Sequence, residues 1–271
     1  DMITAMDIEE YLSYLESYTK DGKLYTNREE GKARKLSSLK SFYDYYFKKN
    51  LIRTNPPRQV DVPKIKNKNI IRLDPNEIAQ LLDEAESGEK LSGRQLASHE
   101  KTKVRDVAIL TLLLGTGIRV SECVGLNLED VDFNNGAIRI IRKGGNEALI
   151  YFGDEVSQAL EAYMNGPRKT AEPAAGHEEA LFISLNKTRI TTRSVERLVK
   201  KYSRLVTTVK KITPHKLRST FGTALYQETG DIYLVADTLG HKDVNTTKKH
   251  YAAIDEHRRR MAANVVKLRE S

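Results

Sequence analysis

The chain has 271 residues, a length that fits two compact domains better than one, and it carries 45 Lys and Arg against 37 Asp and Glu, a formal net charge of +8. No apolar run approaches the roughly 20 residues of a membrane-spanning helix and no secretory leader opens the chain, so a cytoplasmic protein with no membrane partner is expected. The single cysteine, Cys123, excludes an internal disulfide and a cysteine-based zinc site, and reads as a small buried hydrophobe.

In chain order, Ile8, Tyr11, Leu12, Leu15 and Tyr18 repeat at helical spacing behind Thr4 and Asp7, which are placed as a capping box. Asp21-Gly22 breaks that helix. A second helix is expected from Thr26, with Glu29 as its box partner and Leu36, Leu39, Tyr43, Tyr46 and Phe47 as its core stripe. Residues 55–71 contain Pro56, Pro57 and Pro63 among basic residues without periodicity, and read as a linker between a domain at 1–54 and one at 72–271. Asp74-Pro75-Asn76-Glu77 opens the second domain with a cap, a first-turn proline and a first-turn acid.

Val104 to Leu114 reads as a buried helix stopped by Gly115-Thr116-Gly117. Ala137 to Arg142 and Ala148 to Phe152 are β-rich runs around Lys143-Gly144-Gly145-Asn146, a hairpin pattern. Gly166 to Glu179 is a polar loop and Leu181 to Ser184 a short strand. From Thr191 the pattern is helical, with turns at Ile212-Thr213-Pro214, Thr229-Gly230 and Leu239-Gly240. The expected fold is mainly α with a small antiparallel β-sheet.

The charge is unevenly distributed along these elements. Residues 181–271 hold 19 basic against 8 acidic groups, and residues 19–65 hold 12 against 5, whereas residues 1–18 hold five acids and no base. Two separate basic regions fit a two-part grip on a phosphate backbone. Candidate DNA contacts are Lys32, Arg34, Lys35 and Lys40 in the first region, with Arg142, Arg193 and Lys216 in the second domain. The Tyr43, Tyr45, Tyr46 stripe reads as core rather than as a base-stacking platform, and His99, His177 and His257, which have no companions, read as surface residues.

Four short signals converge on one chemistry. Arg119 follows a helix-ending glycine turn with Glu122 three residues on; His215 and Arg218 share one face of a helix start; His241 follows the Leu239-Gly240 stop; and His250-Tyr251 supplies a phenol in the basic third of the chain. These residue types suit phosphodiester cleavage without a metal. Two arginine forks can neutralise the non-bridging oxygens of a phosphorane-like transition state. A tyrosine hydroxyl can attack phosphorus once a base takes its proton, and a lysine on a hairpin tip can protonate the leaving oxygen.

The boxes "LGTGIRVSE", "HKLRSTFGT", "LGHKD" and "HYA", in this order, resemble those of the tyrosine recombinases, the phage-type and Xer-type integrases. The segment "KARKLSSLKSFYDYYFKKNLIRTNP" is similar to that family's core-binding domain, so the resemblance runs over nearly the whole chain. It implies a helical core-binding domain at 1–54 and a catalytic domain at 72–271, which together clamp duplex DNA.

The resemblance also implies that Arg119 and Arg218 clamp the scissile phosphate. Tyr251 would form a 3′-phosphotyrosyl link, Lys143 would protonate the 5′-oxygen, His215 would take the tyrosine proton, and His241 would donate to the phosphate. Glu122 would support Arg119. No metal or nucleotide cofactor is implied. The implied partners are double-stranded DNA core sites, a homo-tetramer acting on two sites through a Holliday junction, and DNA-bending accessory proteins.

A C-terminal helix at 255–269, holding Arg258-Arg259-Arg260, would be exchanged between protomers. Ser219 stands where many members have a second histidine, and ten residues separate His241 from Tyr251, one more than the familiar spacing. The start at Asp1, and the similarity of "MITAMDIEEYLSYL" to the second helix of a core-binding domain, imply a chain without its opening helix and any arm-site-binding domain. A mobile-element integrase, from a conjugative transposon or prophage and acting at the bacterial nucleoid, is the expected role. A type IB topoisomerase and a non-catalytic sequence-specific DNA-binding protein are the rival readings.

Overall fold

The computed structural model describes residues 3–65, 71–142 and 144–241. Among the described residues the protein is mainly helical with two small antiparallel sheets. The chain divides into two compact units, Asp1–Asn69 and Ile70–Ser271.

The first unit opens with helix α1 (Ala5–Tyr14), capped by Thr4 and Asp7. Asp7 accepts from the Thr4 backbone N–H and hydroxyl, each at 2.7 Å, and these bonds hold its carboxyl below the usual carboxylate range. The Asp21-Gly22 break is the tip of a hairpin, β1 (Ser17–Lys20) and β2 (Lys23–Thr26). Both tip residues take positive φ, 51° and 71°, the pattern of a tight hairpin turn.

Helix α2 (Glu29–Lys48) therefore begins three residues later than expected, with Thr26 ending β2 instead of capping the helix. Leu36 of its stripe is fully buried with Ile8, Leu12, Leu15 and Val60, whereas Phe47, expected in the core, is exposed beneath the Arg58 guanidinium. Residues 55–60 are not a free connector. Pro56 to Gln59 form a 3-10 turn, and Pro56, Pro57 and Val60 are buried in this unit, because its two helices leave one side of the core open for them.

In the second unit, helix α3 (Pro75–Ser87) has the Asp74/Glu77 capping box and a first-turn proline. Helix α4 (Gly93–Thr116) is longer than the Val104–Leu114 segment its apolar run marks, because its first three turns are polar outside. Helix α5 (Val120–Gly125) follows, then a three-stranded sheet in the order β3 (Val131–Asp132), β4 (Ala137–Ile141), β5 (Glu147–Tyr151). Strands β4 and β5 pair from Ala137↔Tyr151 to Ile141↔Glu147, so Ile138, Ile140 and Ile150 face the core while Ile141, Leu149 and Tyr151 are exposed.

Helices α6 (Asp154–Tyr163), α7 (Thr192–Val206), α8 (Pro214–Thr229) and α9 (Ile232–Leu239) complete the described part. The expected strand at Leu181 to Ser184 is two isolated bridges, Asn127↔Ala180 and Ile183↔Arg189, since the segment is buried between helices with no strand beside it to extend. One apolar core joins α3 to α8 around Ile109, Leu110, Leu113, Leu160, Val199 and Leu217. Cys123 lies within it, and burial pushes its thiol up to about 12.

Candidate functional site

The end of α4 positions the first arginine. Gly117 closes the helix with φ 64°, and a Cβ there would lie 2.3 Å from the Phe221 ring, so only glycine allows the chain to turn against α8 at this point. Two residues later Arg119 begins α5. Its backbone N–H donates to Glu122 Oε2 at 2.6 Å and its Nη1 to Oε1 at 2.7 Å. Glu122 is 7% exposed, so its carboxylate, held at both oxygens by one residue, fixes the guanidinium rather than solvating it.

Arg218 lies in the second turn of α8 and is 5% exposed. Its Nη1 donates to Gly117 O at 2.7 Å and its Nη2 to Leu239 O. Arg119 Nη2 donates to the next carbonyl, Gly240 O, at 3.2 Å. Arg142 Nη2 takes the two carbonyls before them, Thr238 O at 3.1 Å and Asp237 O at 3.4 Å. A helix leaves its last carbonyls without intrahelical donors, and here three guanidinium groups converge on the C-terminal end of α9 and its cap Gly240, where Asp237 O also accepts from Gly240 N–H at 2.8 Å. The next residue is His241, whose backbone N–H donates to Ala236 O at 2.8 Å.

His215 stands three residues before Arg218 in the first turn of α8, with an exposed side chain. Lys216 beside it is half-buried. A helix N-terminus favours an anion, so α8 brings a polarised turn, a histidine and an arginine to one place. Arg119, Glu122, His215, Arg218 and His241 are thus assembled from the ends of α4, α5, α8 and α9. The excess of guanidinium over carboxylate, on rigid elements, suits a phosphodiester whose negative charge grows during reaction. Lys143 and Tyr251 lie outside the described residues, as does the 255–269 segment.

The candidate DNA contacts separate. Arg34 and Arg193 are exposed and Lys35 is half-buried. Lys40 donates to Val60 O at 2.8 Å, which ties α2 to the 3-10 turn. Lys32 is a correction: it is 7% exposed and its Nζ pairs with Glu16 at 2.6 Å and Glu29 at 2.8 Å, so it braces the first unit instead of facing a phosphate. Those two carboxylates raise its ammonium above the usual lysine range. Arg142 is turned toward α9, a role its sequence context does not indicate.

Arg189 carries no signal in the sequence, and His99 is a second correction. Arg189 Nη1 donates to Val124 O, Gly125 O and Leu126 O at 3.1, 3.0 and 2.7 Å, which closes the end of α5 and so stiffens the helix that Arg119 begins. His99, expected at the surface, is fully buried, and its Nδ1 lies 3.0 Å from Tyr202 Oη. Backbone acceptors carry no sequence signal, and a lone histidine carries little.

The chain is similar to known proteins in sequence and in fold. Residues 71–258 match the phage integrase family. A tyrosine recombinase XerC of Thermodesulfovibrio yellowstonii is 37% identical over 218 residues, covering 80% of this chain and 69% of the relative. A tyrosine recombinase XerD of Oceanobacillus iheyensis is 29% identical over 259 residues, covering 89% and 83%. Among solved structures, XerH site-specific recombinase bound to palindromic difH substrate superposes with a TM-score of 0.74 at 21% identity, over 97% of this chain and 72% of that one. The Tn1549 transposon integrase in complex with circular intermediate DNA gives 0.71 at 24% identity, over 96% and 85%. At these identities the two structures carry the fold alone.

Proposed function

The chain belongs to the phage integrase family of tyrosine recombinases, and from that membership we propose the chemistry its site residues perform. It is a site-specific recombinase that cleaves and rejoins DNA strands. In the proposed reaction Arg119 and Arg218 hold the two non-bridging oxygens of the scissile phosphate, with Glu122 fixing Arg119. The Tyr251 phenol oxygen forms the new bond to phosphorus, giving a 3′-phosphotyrosyl ester, and its proton passes to His215. The P–O5′ bond breaks, and O5′ takes a proton from Lys143, while His241 donates to the phosphate. The ester conserves the bond energy, so rejoining is the same step run with a new 5′-hydroxyl.

What carries this reading is the docking of Arg119 and Arg218 on adjacent carbonyls, Gly240 O and Leu239 O, directly before His241. Residues 1–54 are proposed as the core-binding domain and 72–271 as the catalytic domain. The proposed partners are double-stranded core sites bound by a homo-tetramer through a Holliday junction, with the 255–269 helix exchanged between protomers and DNA-bending proteins assisting. Among the described residues no helix is long and apolar enough to cross a membrane, and a cytoplasmic site of action at the nucleoid is proposed.

The test is recombination in solution. Incubating the protein with two DNA molecules that carry its sites yields recombinant products and Holliday junctions. Supercoil relaxation without recombinants would replace this reading by a topoisomerase. Integration of a mobile element is the finer proposal: element ends recombine with target sites, and activity confined to two copies of a chromosomal resolution site would replace it.

A further inference from the structure

Arg142 follows β4 at the hairpin tip, and it is anchored twice. Its backbone N–H donates to Asn146 O at 2.8 Å and its carbonyl accepts from Gly145 N–H at 3.0 Å, so it closes both sides of the tip. Its side chain leaves the sheet and lies on α9. A Cβ on Gly240, which has φ 60°, would be 2.6 Å from Arg142 Cζ, so the guanidinium rests flat on the one residue there without a side chain. Its Nη2 reaches Thr238 O and Asp237 O, the carbonyls just before those that Arg218 and Arg119 take. Gly144 and Gly145 turn the chain with positive φ, 99° and 82°, a conformation glycine adopts at no steric cost.

We propose that Arg142 is a positioning residue for the leaving-group step. It struts the hairpin tip, in whose sequence Lys143 comes next, against the same turn that holds the phosphate-clamping arginines. Through the strut the proton donor and the clamp share one reference point, so O5′ and the donor stay in register as P–O5′ breaks. The inference rests on the reading of Lys143 as the donor. Arg142 itself gives no proton, because a guanidinium stays charged at any working pH.

The strut makes a prediction that a merely structural residue does not. When O5′ is replaced by sulfur, the leaving thiolate departs without a proton, and the need for a placed donor disappears. Cleavage is measured in single turnover on suicide substrates with a 5′-bridging oxygen or a 5′-bridging sulfur, for the wild type, Arg142→Ala, Arg142→Lys and Lys143→Ala. Arg142→Ala slows the oxygen substrate about 10- to 100-fold, part of the roughly 100- to 10,000-fold that a positioned proton donor supplies. On the sulfur substrate it stays within about threefold of wild type. Arg142→Lys, which keeps the charge but not the fork, falls between wild type and Arg142→Ala on oxygen.

A defect of equal size on both substrates makes Arg142 part of the clamp or of the fold and overturns the proposal, as does the absence of any defect. Lys143→Ala separates the two levels. If it is rescued by sulfur and Arg142→Ala is not, the donor stands and the strut falls. If it is not rescued, the donor assignment fails and the strut fails with it.

Discussion

Two clusters of charged side chains in the second unit are built in opposite ways. In one, Asp106 is the centre, only 2% exposed, and donors point inward at it: Thr102 Oγ1 at 2.9 Å, Tyr202 Oη at 3.1 Å, Arg105 Nη2 at 2.7 Å and Lys201 Nζ at 3.5 Å. His99 closes the network behind Tyr202, and the Lys201 ammonium sits 4.0 Å from the Tyr202 ring centre. In the other, guanidinium groups from Arg119 and Arg218 converge on helix-end carbonyls, with Glu122 as the carboxylate beside Arg119. The first cluster surrounds an anion the protein already holds. The second gathers positive charge around neutral acceptors, so its electrostatics improve when a phosphate arrives. Burial alone does not mark function; the sign of the charge left over does.

The comparison breaks most visibly at Arg218. Arg218→Ala is expected to slow covalent cleavage by about 1,000- to 100,000-fold, the range in which an arginine stabilises transferring phosphoryl charge. Gel-shift affinity for the site falls far less, since the phosphate contacts that set binding are many. An equal loss of binding and cleavage would make Arg218 an anchor and erase the distinction between the clusters.

Asp106→Ala should do the reverse. Removing the centre of a buried charge network costs about 3–5 kcal/mol of stability, read as a fall in melting temperature, while the folded fraction cleaves DNA at the wild-type rate. If cleavage drops with little change in melting temperature, the Asp106 cluster belongs to the reaction.

The smallest effect tests His99. Burial, with Lys201 second, holds its imidazole below the ordinary histidine value of 6.5, so the folded state keeps it neutral while the unfolded chain takes up a proton. Stability therefore declines as pH falls from about 6.5 towards the lowered folded value. His99→Gln should flatten the dependence of melting temperature on pH between 7.5 and 5.5, and an unchanged slope would remove His99 from the account.

Much of the architecture is legible in the residues because its signals are local. Thr4 with Asp7 and Asp74 with Glu77 mark helix starts, and Gly230 and Gly240 mark stops, through bonds between chain neighbours. The β1–β2 hairpin is less legible: its four-residue strands are almost wholly exposed, so no alternation announces them, and Asp21-Gly22 serves equally to end a helix. Of the candidate site, Arg119, His215, Arg218 and His241 are legible by residue type, since arginines and histidines in this pattern suit phosphodiester chemistry. The carbonyls of Leu239 and Gly240, the strut at Arg142 and the brace at Arg189 are not, because their partners are backbone oxygens tens of residues away. The brace at Lys32 is hidden for a related reason: its carboxylates, Glu16 and Glu29, are apportioned to it only once the hairpin folds back.

The arginine clamp is proposed to present a phosphodiester to a single tyrosine. Trapping the protein on a nicked suicide substrate and mapping the adduct by proteolysis and mass spectrometry tests it most directly. One DNA-linked peptide is expected, joined through Tyr251 to the 3′ end of the broken strand, and no adduct with Tyr251→Phe. A link to another residue, attachment to a 5′ end, or an adduct that persists in Tyr251→Phe would contradict it.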